Sequence, residues 1–271
     1  MIIDAHTHIY PELVAPRALN TVVANIGNRL SPYTDGTRDS LQASMDAAGV
    51  DFSIVHMIAT NPGQGSRILQ WIREMAPSSP RMIFFGSVHP YDPGARGLLR
   101  DMAAAGIQGI KFHPPYQGFP VDSKEAYPVY EEAAKQDLVM YFHSGPDPSV
   151  PGCDYSDVER FAVLLKDFDG SKMVLAHGGG IGQWGKVMDH LGDRNCYFDV
   201  AFVLENMKRR KDALELYRQK EDYFVFGTDS PWRDQKRYVD SIRNSGRLTQ
   251  DQKEKLFSGN IRKLIRIPET C

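Results

Sequence analysis

Short apolar runs alternate with amphipathic runs along nearly the whole chain. Eight runs read as strands: Met1–Ala5, Phe52–Met57, Met82–Val88, Gln108–Phe112, Leu138–Phe142, Lys172–Ala176, Cys196–Val200 and Tyr223–Phe226. Each is short, apolar and mostly rich in Val, Ile, Phe or Tyr, as a strand covered on both faces must be. Stretches with helical spacing separate them: Arg38–Ala48, Ser66–Met75, Ala95–Ala105, Lys124–Lys135, Ser156–Lys166, Trp184–Leu191, Glu205–Gln219 and Gln235–Asn244. Gly49 and Gly106 fall where a helix C-terminal glycine is expected. Thr249, with Gln252 three residues on, marks the cap of an extra helix near the C-terminus.

Strict alternation of this kind implies a parallel sheet, and eight repeats predict closure. The expected fold is α/β: one (β/α)8 TIM barrel domain over residues 1–271, with an extra C-terminal helix. An open doubly wound sheet is the rival, but no Gly-x-Gly-x-x-Gly follows the first strand. The stretch from Ile9 to Thr37 is poorly periodic and is expected to form a lid-like insertion over the barrel mouth.

Composition narrows the partners. The chain has 271 residues, 42% hydrophobic and 24% charged, with a net charge of −2. That is an ordinary globular profile with no global attraction to nucleic acid or membrane. The basic run Lys208-Arg209-Arg210-Lys211 reads as a solvated helix face. Cys153, Cys196 and Cys271 form no CxxC pair, so a reducing compartment is expected. No basic region followed by an apolar core opens the chain, and the reading is a cytoplasmic protein without a secretory signal.

Active sites of such barrels lie at the C-terminal ends of the strands. Seven of the eight histidines fall there: His6, His8, His56, His89, His113, His143 and His177; His190 reads as a surface residue in a helix. His6 and His8 are two apart on one strand, so their side chains share a face. Gathering buried imidazoles around one mouth needs an offset, and a metal ion is the obvious one. His and Asp donors without a cysteine cluster suit Zn, with Mn, Fe or Co as alternatives.

His6-x-His8, His143, His177-Gly178-Gly179-Gly180, Gly227-Thr228-Asp229-Ser230-Pro231 and the late Leu256-Phe257-Ser258-Gly259-Asn260-Ile261-Arg262 resemble the amidohydrolase superfamily. The resemblance is to the amidohydrolase 2 branch that contains aminocarboxymuconate-semialdehyde decarboxylase, and it runs from residue 2 to about residue 266. It implies that His6, His8, His143 and Asp229 ligate one divalent metal ion, with His177 and Asp229 in catalytic roles. Such an ion lowers the pKa of bound water to about 7. A second metal, held through a carboxylated Lys111, is the pattern of binuclear members. Relatives also suggest a homodimer.

The leading expectation is a metal-dependent hydrolase opening an amide, ester or lactone of a small polar substrate. The alternative is a nonoxidative decarboxylase of an aromatic or muconate-like acid at the same site. A third reading is an inactive barrel serving as a binding protein. Lys111, His113, Trp232 and Arg233 are the candidate substrate-binding residues, and ordinary loop packing competes for each. His56 and His89 read as supporting or packing groups. Asp199 either orients a metal-bound histidine or caps a backbone amide, and Asp4, in phase with His6, is expected to hydrogen bond behind the site.

Overall fold

The computed structural model describes residues 1–207 and 209–268. Lys208 of the basic run and Cys271 lie outside the described residues. Eight strands follow in order: β1 (Ile3–Thr7), β2 (Phe52–His56), β3 (Met82–Phe85), β4 (Gly109–Phe112), β5 (Val139–Phe142), β6 (Met173–Leu175), β7 (Tyr197–Asp199) and β8 (Phe224–Val225). All neighbours pair in parallel, as β1-β2-β3 and as β4 through β8. Backbone hydrogen bonds join the two arcs at both seams. Gly86 bridges to Ile110, with Lys111 N–H donating to Gly86 at 2.9 Å. On the other side Ala5 N–H donates to Phe226 O and Asp229 N–H to His6 O, both at 2.7 Å. The sheet is therefore a closed barrel.

Inward residues from alternate strand positions (Ile3, Phe52, Ile83, Phe85, Val139, Tyr141, Val174 and Val225 among them) form one apolar cluster. Ile261, Leu264 and Ile265 join it from the C-terminal segment, which two hydrogen bonds between Gln108 and Arg266 hold at the start of β4. That segment closes the bottom and leaves the top for chemistry. Gly109 is needed in this wall, because a Cβ there would lie 2.2 Å from the Phe85 ring.

The helices around the sheet are α1 (Ala15–Asn25), α2 (Arg38–Ala48), α3 (Gln64–Met75), α4 (Ala95–Ala104), α5 (Pro114–Gln117), α6 (Tyr127–Lys135), α7 (Val158–Asp167), α8 (Trp184–Leu191), α9 (Lys211–Gln219), α10 (Gln235–Arg243) and α11 (Gln250–Glu254). Thr37 and Ser40 cap α2 reciprocally, and Thr249 with Gln252 does the same for α11. Gly49 and Gly106 take the left-handed backbone expected after a helix. Among the described residues no helix is long and apolar enough to cross a membrane.

One local expectation fails. The helix expected from Glu205 starts only at Lys211, because residues 201–207 form successive turns after β7. Arg209 and Arg210 therefore precede the helix and Lys211 opens it; Arg210 pairs with Asp212 at 2.6 Å and lies over the Trp184 ring. The insertion after β1 carries structure of its own. It holds α1, and its base is tied by Tyr10 N–H to Gly36 O at 2.8 Å and by Tyr33 N–H to Pro231 O at 2.7 Å.

Candidate metal centre at the barrel mouth

The pairing of β1 with β2 slips between Asp4 and Thr7. Such an irregularity re-aims side chains. Ile3 and Ala5 belong to the inner cluster, yet His6 also turns inside and meets the Tyr141 ring at 5.2 Å. Asp4 thus parts from the phase it would share with His6 in a regular strand. Its carboxylate accepts from Thr228 N at 3.0 Å, Thr228 Oγ1 at 2.6 Å, Gln235 Nε2 at 2.8 Å and His6 N at 3.1 Å. Burial pushes it up to about 6 against those bonds. It fixes the segment that presents Asp229.

His6 Nε2 and His8 Nε2 lie 3.1 Å apart, and Asp229 Oδ1 lies 3.3 and 3.2 Å from them. The outer nitrogens decide which form these rings take. His6 Nδ1 donates to the Asp199 carboxylate at 2.7 Å, and His8 Nδ1 to the His56 carbonyl at 3.0 Å. Both partners only accept, so each Nδ1 carries the proton and each Nε2 offers a lone pair. Three acceptor atoms this close repel one another unless a cation lies between them. Bonds of about 2.0–2.1 Å around a tetrahedral ion set its ligand atoms about 3.3 Å apart, the spacing seen here. The donor set fits a divalent ion. Burial first, and then the Lys111 ammonium, holds His6 well below the usual histidine range, so it is neutral and ready to ligate.

Asp199 does both things expected of it. Its Oδ2 receives His6 Nδ1 and the Tyr141 hydroxyl, at 2.6 Å, and its Oδ1 receives the backbone N–H of His177 at 2.8 Å and of Ala201 at 3.0 Å. Lys111 is buried with Nζ 3.3 Å from His6 Nε2 and 4.8 Å from the Tyr141 ring centre. Burial lowers it to about 8, although Asp229 and Asp199 pull the other way.

His143 and His177 lie deeper round the mouth. His177 Nε2 faces His143 Nδ1 at 3.3 Å, and the His177 ring stands 5.5 Å from that of His6. His143 groups with His113 and Asp147 rather than directly with His6 and His8. His113 Nδ1 accepts from Tyr116 N–H at 3.4 Å, and its Nε2 faces Asp147 Oδ2 at 3.3 Å. Burial brings His113 down to about 4, with Asp147 opposing. His56 Nε2 donates to Ala5 O and His89 Nε2 to Gln117 O, both at 2.8 Å, so these two hold backbone, as expected. His190 is exposed.

His6, His8, Lys111, His113, His143, His177 and Asp229 line one cavity of about 280 Å³. Its roof comes from Val22, Ile26, Arg29 and Leu30 of the insertion, which places the expected lid over the site. Trp232 and Arg233 line it after β8. Arg233 is held on three sides: Nε donates to Glu205 at 2.6 Å, Nη1 to Trp232 O at 2.8 Å, and the guanidinium lies 3.9 Å over Phe202. Phe202 in turn packs edge-on against His177. His177, Phe202 and Asp229 all have positive φ, near 60°. A left-handed backbone costs roughly 1–3 kcal/mol at such residues and gathers at functional sites. Phe202, Glu205 and Asp147 escaped the sequence reading; the only trace was Asp147-Pro148-Ser149, a turn signal four residues past His143.

A family model described as amidohydrolase matches residues 3–267. The chain belongs to the amidohydrolase family. It is an enzyme, and solved structures carry the same barrel. An uncharacterised TIM-barrel protein from Bordetella bronchiseptica superposes with a TM-score of 0.76 at 16% identity, over 97% of each chain. A 5-carboxyvanillate decarboxylase from Sphingomonas paucimobilis gives 0.70 at 16% identity, over 98% of this chain and 99% of that one. The 5-carboxyvanillate decarboxylase of Novosphingobium aromaticivorans, solved as a mutant with manganese bound, gives 0.72 at 14% identity, over 97% and 96%. No curated protein matches the sequence at a significant level.

Proposed function

We propose that this amidohydrolase removes the carboxyl group of a small aromatic or unsaturated acid as CO2, without oxidation. The cavity carries the reading. Its lining gathers Lys111, Arg29 and Arg233 with the flat side chains of Trp232, Phe202, Tyr10 and Tyr116 and with the His6–His8–Asp229 donor set. A flat anion suits such a pocket. Two of the similar structures are decarboxylases, one with manganese.

His6, His8 and Asp229 would hold one divalent ion, Zn or Mn by donor type, with His143 as the fourth protein ligand. Bound there, the ion would supply Lewis acidity toward the substrate's oxygens and, for hydrolysis, an activated water. Lys111 Nζ, beside His6, meets the reacting carboxylate as a compact charge. Arg233, already fixed by Glu205 and Phe202, orients the ring. The bond to the carboxylate carbon then breaks, its electron pair stays on the ring carbon, and the proton on His177 Nε2 goes to that carbon as CO2 leaves.

Hydrolysis of a lactone or amide is the second reading. Asp229 favours it, because Oδ1 faces both imidazoles and Oδ2 is left to take a proton from water. A panel of hydroxybenzoic and unsaturated acids, lactones and N-acyl compounds, run in D2O, separates the two. The account expects CO2 release with one deuterium fixed at carbon, and His177→Asn should abolish it while the ion stays bound. Ring opening or acyl cleavage without CO2 would make this enzyme a hydrolase.

A further inference from the structure

Asp147 sits on the loop after β5, buried, with its two oxygens used differently. Oδ1 is pinned: it accepts Ser149 N–H at 2.7 Å and the Ser149 hydroxyl at 2.6 Å. Oδ2 faces His113 Nε2 at 3.3 Å and His143 Nε2 at 3.9 Å. Asp199 is built the same way. Its Oδ1 accepts the N–H of Ala201, also two residues on, while its Oδ2 takes the outer nitrogen of His6. In both, a turn closed by the aspartate itself fixes one oxygen and aims the other at imidazole. For a metal-binding histidine, that outer contact sets the tautomer and the direction of the ring.

We propose that Asp147 is a positioning residue for His143: it receives the proton on Nε2 and leaves the Nδ1 lone pair for the ion held by His6, His8 and Asp229. The proposal rests on the ion site of the proposed function. His143 Nε2 is buried and has no hydrogen-bond partner among the described residues, so Asp147 Oδ2 is the carboxylate oxygen facing it. His143 Nδ1 lies on the side of His177, whose ring centre is 5.0 Å from that of His143 and 5.5 Å from that of His6. With the Nε2 proton on His143, the 3.3 Å contact to His177 requires His177 Nε2 to donate. That proton is freed for substrate once Nδ1 is engaged. The plane of His143 is set by stacking on His113 at 4.1 Å, and His113 stacks on Tyr116 at 3.8 Å.

The same geometry argues against a second ion among His113, His143 and Asp147. The two rings are within 13° of parallel, so their in-plane lone pairs run side by side instead of converging. His113 Nδ1 accepts a backbone N–H, which leaves its proton on Nε2, where an ion would need a lone pair.

Asp147→Asn tests this. The amide oxygen stays on Ser149 N–H and the NH2 group faces His143, so the outer acceptor is lost. Co²⁺ and Zn²⁺ affinities, measured by competition with a chromophoric chelator, should fall about 10–100-fold, and the visible spectrum of the Co²⁺ protein should shift. The Tm of the metal-free protein should fall modestly, because the NH2 group also meets the Nε2 proton of His113, and Asp147→Glu should recover part of the affinity. If Asp147→Asn fails to fold, Ser149→Ala, which removes one of the two bonds pinning Oδ1, should show a smaller loss in the same direction. Unchanged affinity and spectrum in the variant would overturn the proposal alone. Wild-type protein that takes up no stoichiometric ion would overturn the ion site, and this proposal with it.

Discussion

His6, His8 and Asp229 on one side of the mouth, and His113, His143 and Asp147 on the other, have the same composition but different commitments. In the first group the outer nitrogens are spent on acceptors, and three lone-pair atoms converge within 3.3 Å. In the second, one imidazole already points a proton at the carboxylate and the rings lie face to face. The difference comes from partners on other strands: Asp199 at the end of β7 and the His56 carbonyl of β2 make the first group a cation site. Residue type alone does not make a ligand; the atom behind the ring does.

The sharpest break of that comparison is to delete one imidazole from each group. His6→Ala should reduce bound ion to a small fraction. Its affinity loss should reach at least about a hundredfold, since four ligands share a total near 10–16 kcal/mol. His113→Ala should keep one ion per chain. Equal losses by elemental analysis would erase the distinction. Next in size is Asp199→Asn, which leaves the His6 ring without its carboxylate; titration should show affinity lower by about 10–100-fold.

Gly227→Ala probes how tightly the first group is packed. The added Cβ would lie 3.0 Å from the Cβ atoms of both His6 and Asp199. Denaturant unfolding should show a cost of about 1–3 kcal/mol, with a few-fold loss of ion affinity. A variant as stable and as tightly loaded as the wild type would show that this wall yields. Tyr116→Phe should do least. It removes a hydroxyl 2.8 Å from Ser149 Oγ, so stability should drop by about 0.5–1.5 kcal/mol while ion affinity holds.

The barrel was legible because eight buried strands and their helices repeat at nearly even intervals, a pattern local sequence carries by itself. Strand-end histidines were legible for the same reason. What sequence could not show was ring orientation. The slip in β1 that turns His6 inward depends on pairing with β2. The two-sided use of Asp199 depends on residues 58 and 193 positions away. Glu205 was hidden at the start of an expected helix and Phe202 in the short gap before it, because nothing local announces that the chain after β7 turns instead of winding. Asp147 carried a turn signal, but its target was visible only once β4 and β5 lay side by side.

Crystals of the protein loaded with zinc or manganese, measured at that metal's absorption edge, test the central claim most directly. One anomalous peak per chain is predicted, bonded to His6 Nε2, His8 Nε2 and Asp229 Oδ1. A peak seated instead between His113 and Asp147, or no peak near the N-terminal histidine pair, would contradict the account.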